Sequence, residues 1–148
     1  MVIGDLLVIG TIGRLVIGAI AAPRLRVTPE VLRDRTKKFA VDVIRFAKTL
    51  PRDSINAQIT AQLTDAASSV ASNYRAVCRA RSRADFINKL GITIEEADEA
   101  ALWLEILAEA GIASQSAINS LWQEAEELTR ILVRSRETAR NRQSPNRQ

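Results

Sequence analysis

From residue 29 onward the apolar positions fall into four blocks, each stepping by three and four residues as one face of a helix does. In the first block Leu32, Thr36, Phe39, Ala40, Val43, Ala47 and Leu50 form a single stripe. Thr28 ahead of Pro29 and Glu30 supplies a cap hydroxyl, a proline at the first helical position and an early acid. Helix 1 is therefore expected to run to about Leu50, where Pro51 stops it. Asp53 or Ser54 opens helix 2, whose stripe reads Ile59, Leu63, Ala66, Val70, Asn73, Tyr74 and Val77. Its small residues between Ala66 and Ser72 let a neighbouring helix approach closely, and it fades in the arginine-rich stretch from Arg75 to Arg83.

Ser82, with Asp85 three residues on, resembles a capping box and opens helix 3, which runs uninterrupted to Ala110 before Gly111 ends it. One face carries Phe86, Leu90, Ala97, Ala101, Leu104 and Ala108, a second Ile87, Ile94 and Leu102, a third Trp103 and Ile106. A helix apolar on several faces has several to bury, whereas a four-helix bundle covers one. Ile87, Ile94, Leu102, Trp103 and Ile106 are accordingly the expected contacts between subunits of a homo-oligomer. Ser114 or Ser116 starts helix 4, with Ile118, Leu121, Ala125, Leu128 and Leu132 facing the core and Trp122 beside them. Four such helices predict an all-α four-helix bundle over residues 29–140. Residues 141–148, a basic tail with nothing apolar to bury, are expected to be disordered.

Residues 1–28 break the pattern. Leu-Val-Ile-Gly recurs at Leu7 and Leu15 with a partial copy at Val2, while Asp5 and Arg14 interrupt any apolar run long enough to span a bilayer. The segment reads as a low-complexity apolar extension outside the fold, without a stable membrane span.

Composition narrows the function. The hydrophobic share is 47% with only 4% aromatic, so one aliphatic helical core suits a chain of 148 residues. A single cysteine, Cys78, permits no internal disulfide, which fits a cytoplasmic address. Cys78 follows Tyr74 by one turn, on a row expected to face inward. Histidine is absent, removing the commonest general base and metal ligand. The carboxylates Glu95, Glu96, Asp98, Glu99 and Glu105 would need histidine partners to build the di-metal site that bundles house, so neither metal nor other cofactor is expected, and no catalytic constellation or small-molecule substrate site is visible.

Charge is segregated along the chain. Residues 1–83 carry 14 basic and 6 acidic side chains, residues 84–128 carry 1 and 10, and residues 129–148 carry 6 and 1. Arg75, Arg79, Arg81 and Arg83 crowd the corner between helices 2 and 3. They either grip phosphates or pair with Glu95, Glu96, Asp98 and Glu99, within or between subunits. Arg33, Lys37, Lys38 and Arg45 lie off the stripe of helix 1, as a solvated face or as part of a polyanion-binding surface. Asn73 sits between Val70 and Val77. If buried it requires a partner, for which Glu96 or Asp98 is the natural candidate, fixing helix register.

The run from Ser69 through Asn73, Arg79, Ser82, Phe86 and Leu90 to Gly91, followed by Glu95–Glu99 and Trp103-Leu104, resembles the bacterial four-helix-bundle proteins encoded in intervening sequences of 23S ribosomal RNA genes. The Thr36-Lys-Lys-Phe39-Ala and Leu50-Pro51 features agree, and the likeness covers about residues 31–140. It implies an antiparallel up-down-up-down bundle assembling as a homopentamer, with no established activity for most members. A related branch holds accessory proteins of diversity-generating retroelements, which bind a reverse transcriptase and nucleic acid. Where many relatives have Ala-Glu-Gly this chain has Tyr74-Arg75-Ala76. The expectation is a non-enzymatic homo-oligomeric adaptor or scaffold whose basic surface engages RNA, DNA or a nucleic-acid-handling protein. The alternative is a purely structural self-assembling bundle.

Overall fold

The computed structural model describes residues 27–141, together with the backbone of residues 2–3, 6–7, 10–11 and 14–15. Four helices make up the body: α1 (Pro29–Ala47), α2 (Ser54–Val77), α3 (Arg83–Glu109) and α4 (Gln115–Asn141). Their ends are set by side chains. Thr28 Oγ1 accepts from Val31 N at 3.3 Å, Asp53 Oδ1 from Ile55 N and Asn56 N at 3.0 and 2.9 Å, and Ser82 Oγ from Asp85 N at 3.1 Å. Asp85 in turn accepts from Arg81 N at 2.9 Å, one residue ahead of the usual capping-box donor. Ser114 Oγ accepts from Ala117 N at 3.2 Å, so of the two serines at the start of α4 it is Ser114 that caps.

α3 ends in a Schellman turn. Gly111 has φ 70°, its N–H reaches the Ala108 carbonyl at 3.0 Å, and Ile112 N–H reaches Leu107 O at 3.0 Å. The left-handed residue favours glycine, which lacks the Cβ that makes that conformation costly.

The helices pack in a ring of neighbours: α1 on α2, α2 on α3, α3 on α4, and α4 on α1. The core is aliphatic, with Val43, Leu63, Val70, Leu90, Leu104, Leu107, Leu128 and Leu132 at or near zero exposure, and Phe39 the one buried phenylalanine. The buried polar side chains are satisfied locally: Thr36 donates to Arg33 O at 3.0 Å, Thr93 to Lys89 O at 2.8 Å, and Asn56 donates to Asp53. An ion pair with two parallel hydrogen bonds ties α1 to α4, Arg35 Nε to Glu124 Oε1 at 2.6 Å and Nη2 to Oε2 at 2.8 Å. Between α3 and α4, Arg136 lies across Gly91, where an added Cβ would stand 3.6 Å from its Nη1. Its Nε is the one buried side-chain polar atom without a partner among the described residues.

Ahead of the body, Val2–Ile3 pairs antiparallel with Leu6–Leu7, and Gly10–Thr11 with Arg14–Leu15. The second pair repeats the first eight residues on, in step with the Leu-Val-Ile-Gly repeat. Neither strand pair contacts a helix among the described residues. The remainder of the extension and the expected tail after Asn141 lie outside the described residues.

Candidate nucleic-acid interface

Arg33 and Lys37 stand one turn apart on α1, and Arg75 lies in the last turn of α2 with Arg79 four residues on, just past the end of that helix. The two helices set these cations along a single open cleft of about 480 Å³, completed by Asp34 and Cys78. The sequence presented them as separate clusters; packing of α1 against α2 joins them. Asp34 is the one acid lining the cleft, and it stands 3.8 Å from Arg33. All four cations are exposed, and neither Arg75 nor Arg79 has a carboxylate within ion-pairing distance among the described residues. Arg79 Nε instead donates to Arg75 O at 3.3 Å. Like charges one turn apart repel by a few tenths of a kcal/mol per pair. The ladder is therefore no help to folding, and it leaves the Arg75 and Arg79 charges without a carboxylate partner among the described residues.

Arg81 and Arg83 open onto a second, larger hollow of about 650 Å³ at the same end of the bundle. It is bounded by Pro29 at the start of α1, Tyr74 and Val77 at the end of α2, Phe86 early in α3, and Ala139 late in α4. Arg83 donates to the carbonyls of Ala139 and Arg140, the latter at 3.3 Å, and so closes the last turn of α4. Burial, and after it the neighbouring Cys78 thiol, push the Tyr74 hydroxyl well above its ordinary range, so it stays protonated. Cys78 itself is exposed and caps the end of α2, a correction to its expected inward position: the buried row of α2 ends at Val77.

The other two cations expected on the α1 surface are engaged. Lys38 and Arg45 both pair with Asp42, the latter at 3.5 Å, and do not reach the cleft.

Within the subunit the acidic block of α3 does not neutralise the arginines, and the pairing with Glu95, Glu96, Asp98 and Glu99 inside one chain is corrected on that ground. Glu95 lies twelve residues beyond Arg83, about 18 Å along the helix axis. Two of the acids on α3 hold tryptophans instead: Trp103 Nε1 donates to Glu99 Oε1 at 3.0 Å, and Trp122 Nε1 to Glu105 Oε1 at 2.7 Å. Burial, then the Glu99 and Glu95 charges, raise Glu96 above the usual carboxylate range. Asn73 is half-buried and hydrogen-bonds neither Glu96 nor Asp98 among the described residues, so it does not fix register through them. The buried asparagine is Asn56, at the α2 cap.

Of the expected subunit contacts, Ile94 and Trp103 pack partly against the core, Ile87 and Ile106 are half-buried, and Leu102 is exposed. α2 and α4 together cover more of α3 than a single buried stripe would require. Ile92, which belongs to none of the three apolar faces expected for this helix, is exposed, as is Leu102 about 15 Å further along the helix axis. No group of His, Cys, Asp or Glu among the described residues is placed to hold a metal, and no described helix is long and apolar enough to cross a membrane.

A family model described as 23S rRNA-intervening sequence protein matches residues 31–134, which hold most of the helical body. A crystal structure of a protein of unknown function from the S23 ribosomal protein family of Bacteroides thetaiotaomicron superposes with a TM-score of 0.65 at 29% identity. The match covers 74% of this chain and 97% of that one. No curated protein matches the chain.

Proposed function

We propose, for a chain that belongs to the 23S rRNA-intervening sequence protein family, a non-enzymatic homo-oligomeric scaffold whose basic end binds nucleic acid. The observation carrying this reading is the cleft that Arg33, Lys37, Arg75 and Arg79 line with one acid among them. Exposed cations gathered where α1 meets the end of α2, with Arg75 and Arg79 free of any carboxylate within ion-pairing distance among the described residues, suit a phosphate backbone, which takes bidentate donors without regard to base sequence. Arg81 and Arg83 extend the same end of the molecule, and a closed oligomer would repeat the field once per subunit.

The antiparallel up-down-up-down arrangement is supported by the hollow that gathers the starts of α1 and α3 with the ends of α2 and α4, and by the hydrogen bonds from Arg83 to the last turn of α4. A pentamer is the assembly that the family resemblance favours. An exposed, unpaired Cys78 fits a reducing cytoplasm.

The test is a salt titration of the full chain against short single-stranded RNA and DNA and a duplex. Binding that falls linearly on a log–log plot as salt rises is the expected result. Absence of binding to all three at low salt would leave the self-assembling bundle as the function.

A further inference from the structure

Two exposed surfaces outside the basic cleft complement each other. The outer face of α3 presents Ile92 and Leu102, 48% and 51% exposed, with Glu95 and Glu99 between them. From Leu90 to Thr129 the chain holds no lysine or arginine, so this face is acidic throughout. The second surface is a groove of about 660 Å³ between the end of α1 and the start of α2. Its walls are Ile44, Leu50, Thr60 and Thr64, and the small side chains of Ala57 and Ala61, one turn apart, leave room for a helix to lie close. Lys48 and Arg52 stand at its rim. The one carboxylate lining it, Asp53, is committed to the cap of α2.

We propose that the outer face of α3 docks into the α1–α2 groove of a second copy of this chain, so that subunits join head to tail through Ile92, Leu102 and Glu95 on one side and Ile44, Ala61, Lys48 and Arg52 on the other. The inference rests on the homo-oligomer reading and assigns it a surface. Charge selects the pairing: the α3 face set against itself across a two-fold axis would oppose Glu95 and Glu99 to their own copies, whereas the groove offers cations and an apolar floor. The complement to each surface is carried by the same chain, which makes a second copy the fitting occupant. A contact between two different patches is heterologous; repeated, it closes into a ring or runs on as a filament. It uses none of Arg33, Lys37, Arg75 or Arg79, so the basic cleft of every subunit stays open.

Light scattering on the full chain and two variants tests this. Leu102→Arg spoils the α3 face and Ala61→Glu spoils the groove; both positions are exposed, and matching thermal melts confirm that each variant folds. The expected result is an oligomeric wild type, two monomeric variants, and a mixture that forms a one-to-one complex of twice the 16.3 kDa chain mass and nothing larger. In that complex the intact α3 face of one variant meets the intact groove of the other. A second pair uses charge alone: Glu95→Lys and Lys48→Glu should each weaken assembly, and mixing them should restore it in part. A wild type already monomeric at micromolar concentration would overturn the oligomer reading and this docking together. An oligomeric wild type whose variants keep its mass would overturn the docking and leave the oligomer standing. Monomeric variants that fail to associate on mixing would overturn the head-to-tail pairing.

Discussion

The arginine corner and the outer face of α3 carry opposite charge in neighbouring stretches of chain, yet the fold sends them to different places. At the corner, Arg75 and Arg79 turn towards α1 and share a cleft with Arg33 and Lys37. Along α3, Glu95 and Glu96 lie further up the helix with no cation of their own chain beside them among the described residues. Elsewhere this protein does pair its charges: Arg35 with Glu124 across α1 and α4, Lys89 with Asp85 at 2.6 Å, and Arg130 with Glu127 at 2.9 Å. Two regions without such pairs, in a chain that pairs other charges, are what the proposed function and the proposed docking would use. The difference between them predicts two partners, a polyanion for one and a second copy for the other.

The largest effect on that separation comes from the core that holds the two regions apart. Leu104 is fully buried on α3, and Leu104→Ala should cost about 2–5 kcal/mol in a denaturant melt, weakening nucleic-acid binding and assembly together. An equal drop in both activities there is the signature of unfolding, against which selective variants are judged. Arg35→Ala should cost about 1 kcal/mol, because it leaves the half-buried Glu124 without its two hydrogen bonds, and it should touch neither partner. A melt unchanged by Arg35→Ala would show that the clamp between α1 and α4 contributes nothing.

The smallest effect sharpens the acidic side. Folding raises Glu96 above its ordinary range, so its charged form is disfavoured in the folded subunit. That penalty is absent at pH below the unfolded carboxylate range and appears as pH rises through it. Glu96→Gln should therefore raise the melting temperature of the dissociated subunit slightly at neutral pH and leave it unchanged in acid. A decrease in stability at neutral pH would mean that a cation meets Glu96 after all.

The helices were legible because periodicity reports burial directly. Leu32, Thr36, Phe39, Ala40, Val43 and Leu50 are buried as the stripe of α1 predicted, and Thr28, Ser82 and Gly111 set ends where their chemistry said they would. On α3 the inner row also takes in Thr93, Ala100 and Leu107, which a stripe drawn through the larger apolar residues missed. The basic cleft was half legible: its four cations stand out in the sequence, but only packing could show that α1 and α2 bring them together while Lys38 and Arg45 turn to Asp42. Charge counts carry no distances, which is why the corner and the acidic block looked like natural partners. The groove beside Ile44 was not legible, because it is lined from α2 by Ala57, Ala61 and threonines, residues whose pattern in sequence carries no marker of a docking surface.

Whether the arginine corner serves a partner outside the subunit or the acidic face of α3 is decided by a side-by-side salt titration of RNA binding. The wild type is compared with a variant carrying Gln at Arg75, Arg79 and Arg81, with Arg83 kept because it holds the last turn of α4. With an outside partner, the variant keeps the wild-type melting temperature and oligomer mass, and its log–log salt slope is shallower by about 0.7 for each phosphate it no longer grips. A variant that melts early or falls apart, with the same salt slope as the wild type, would contradict this and return those arginines to the carboxylates of α3.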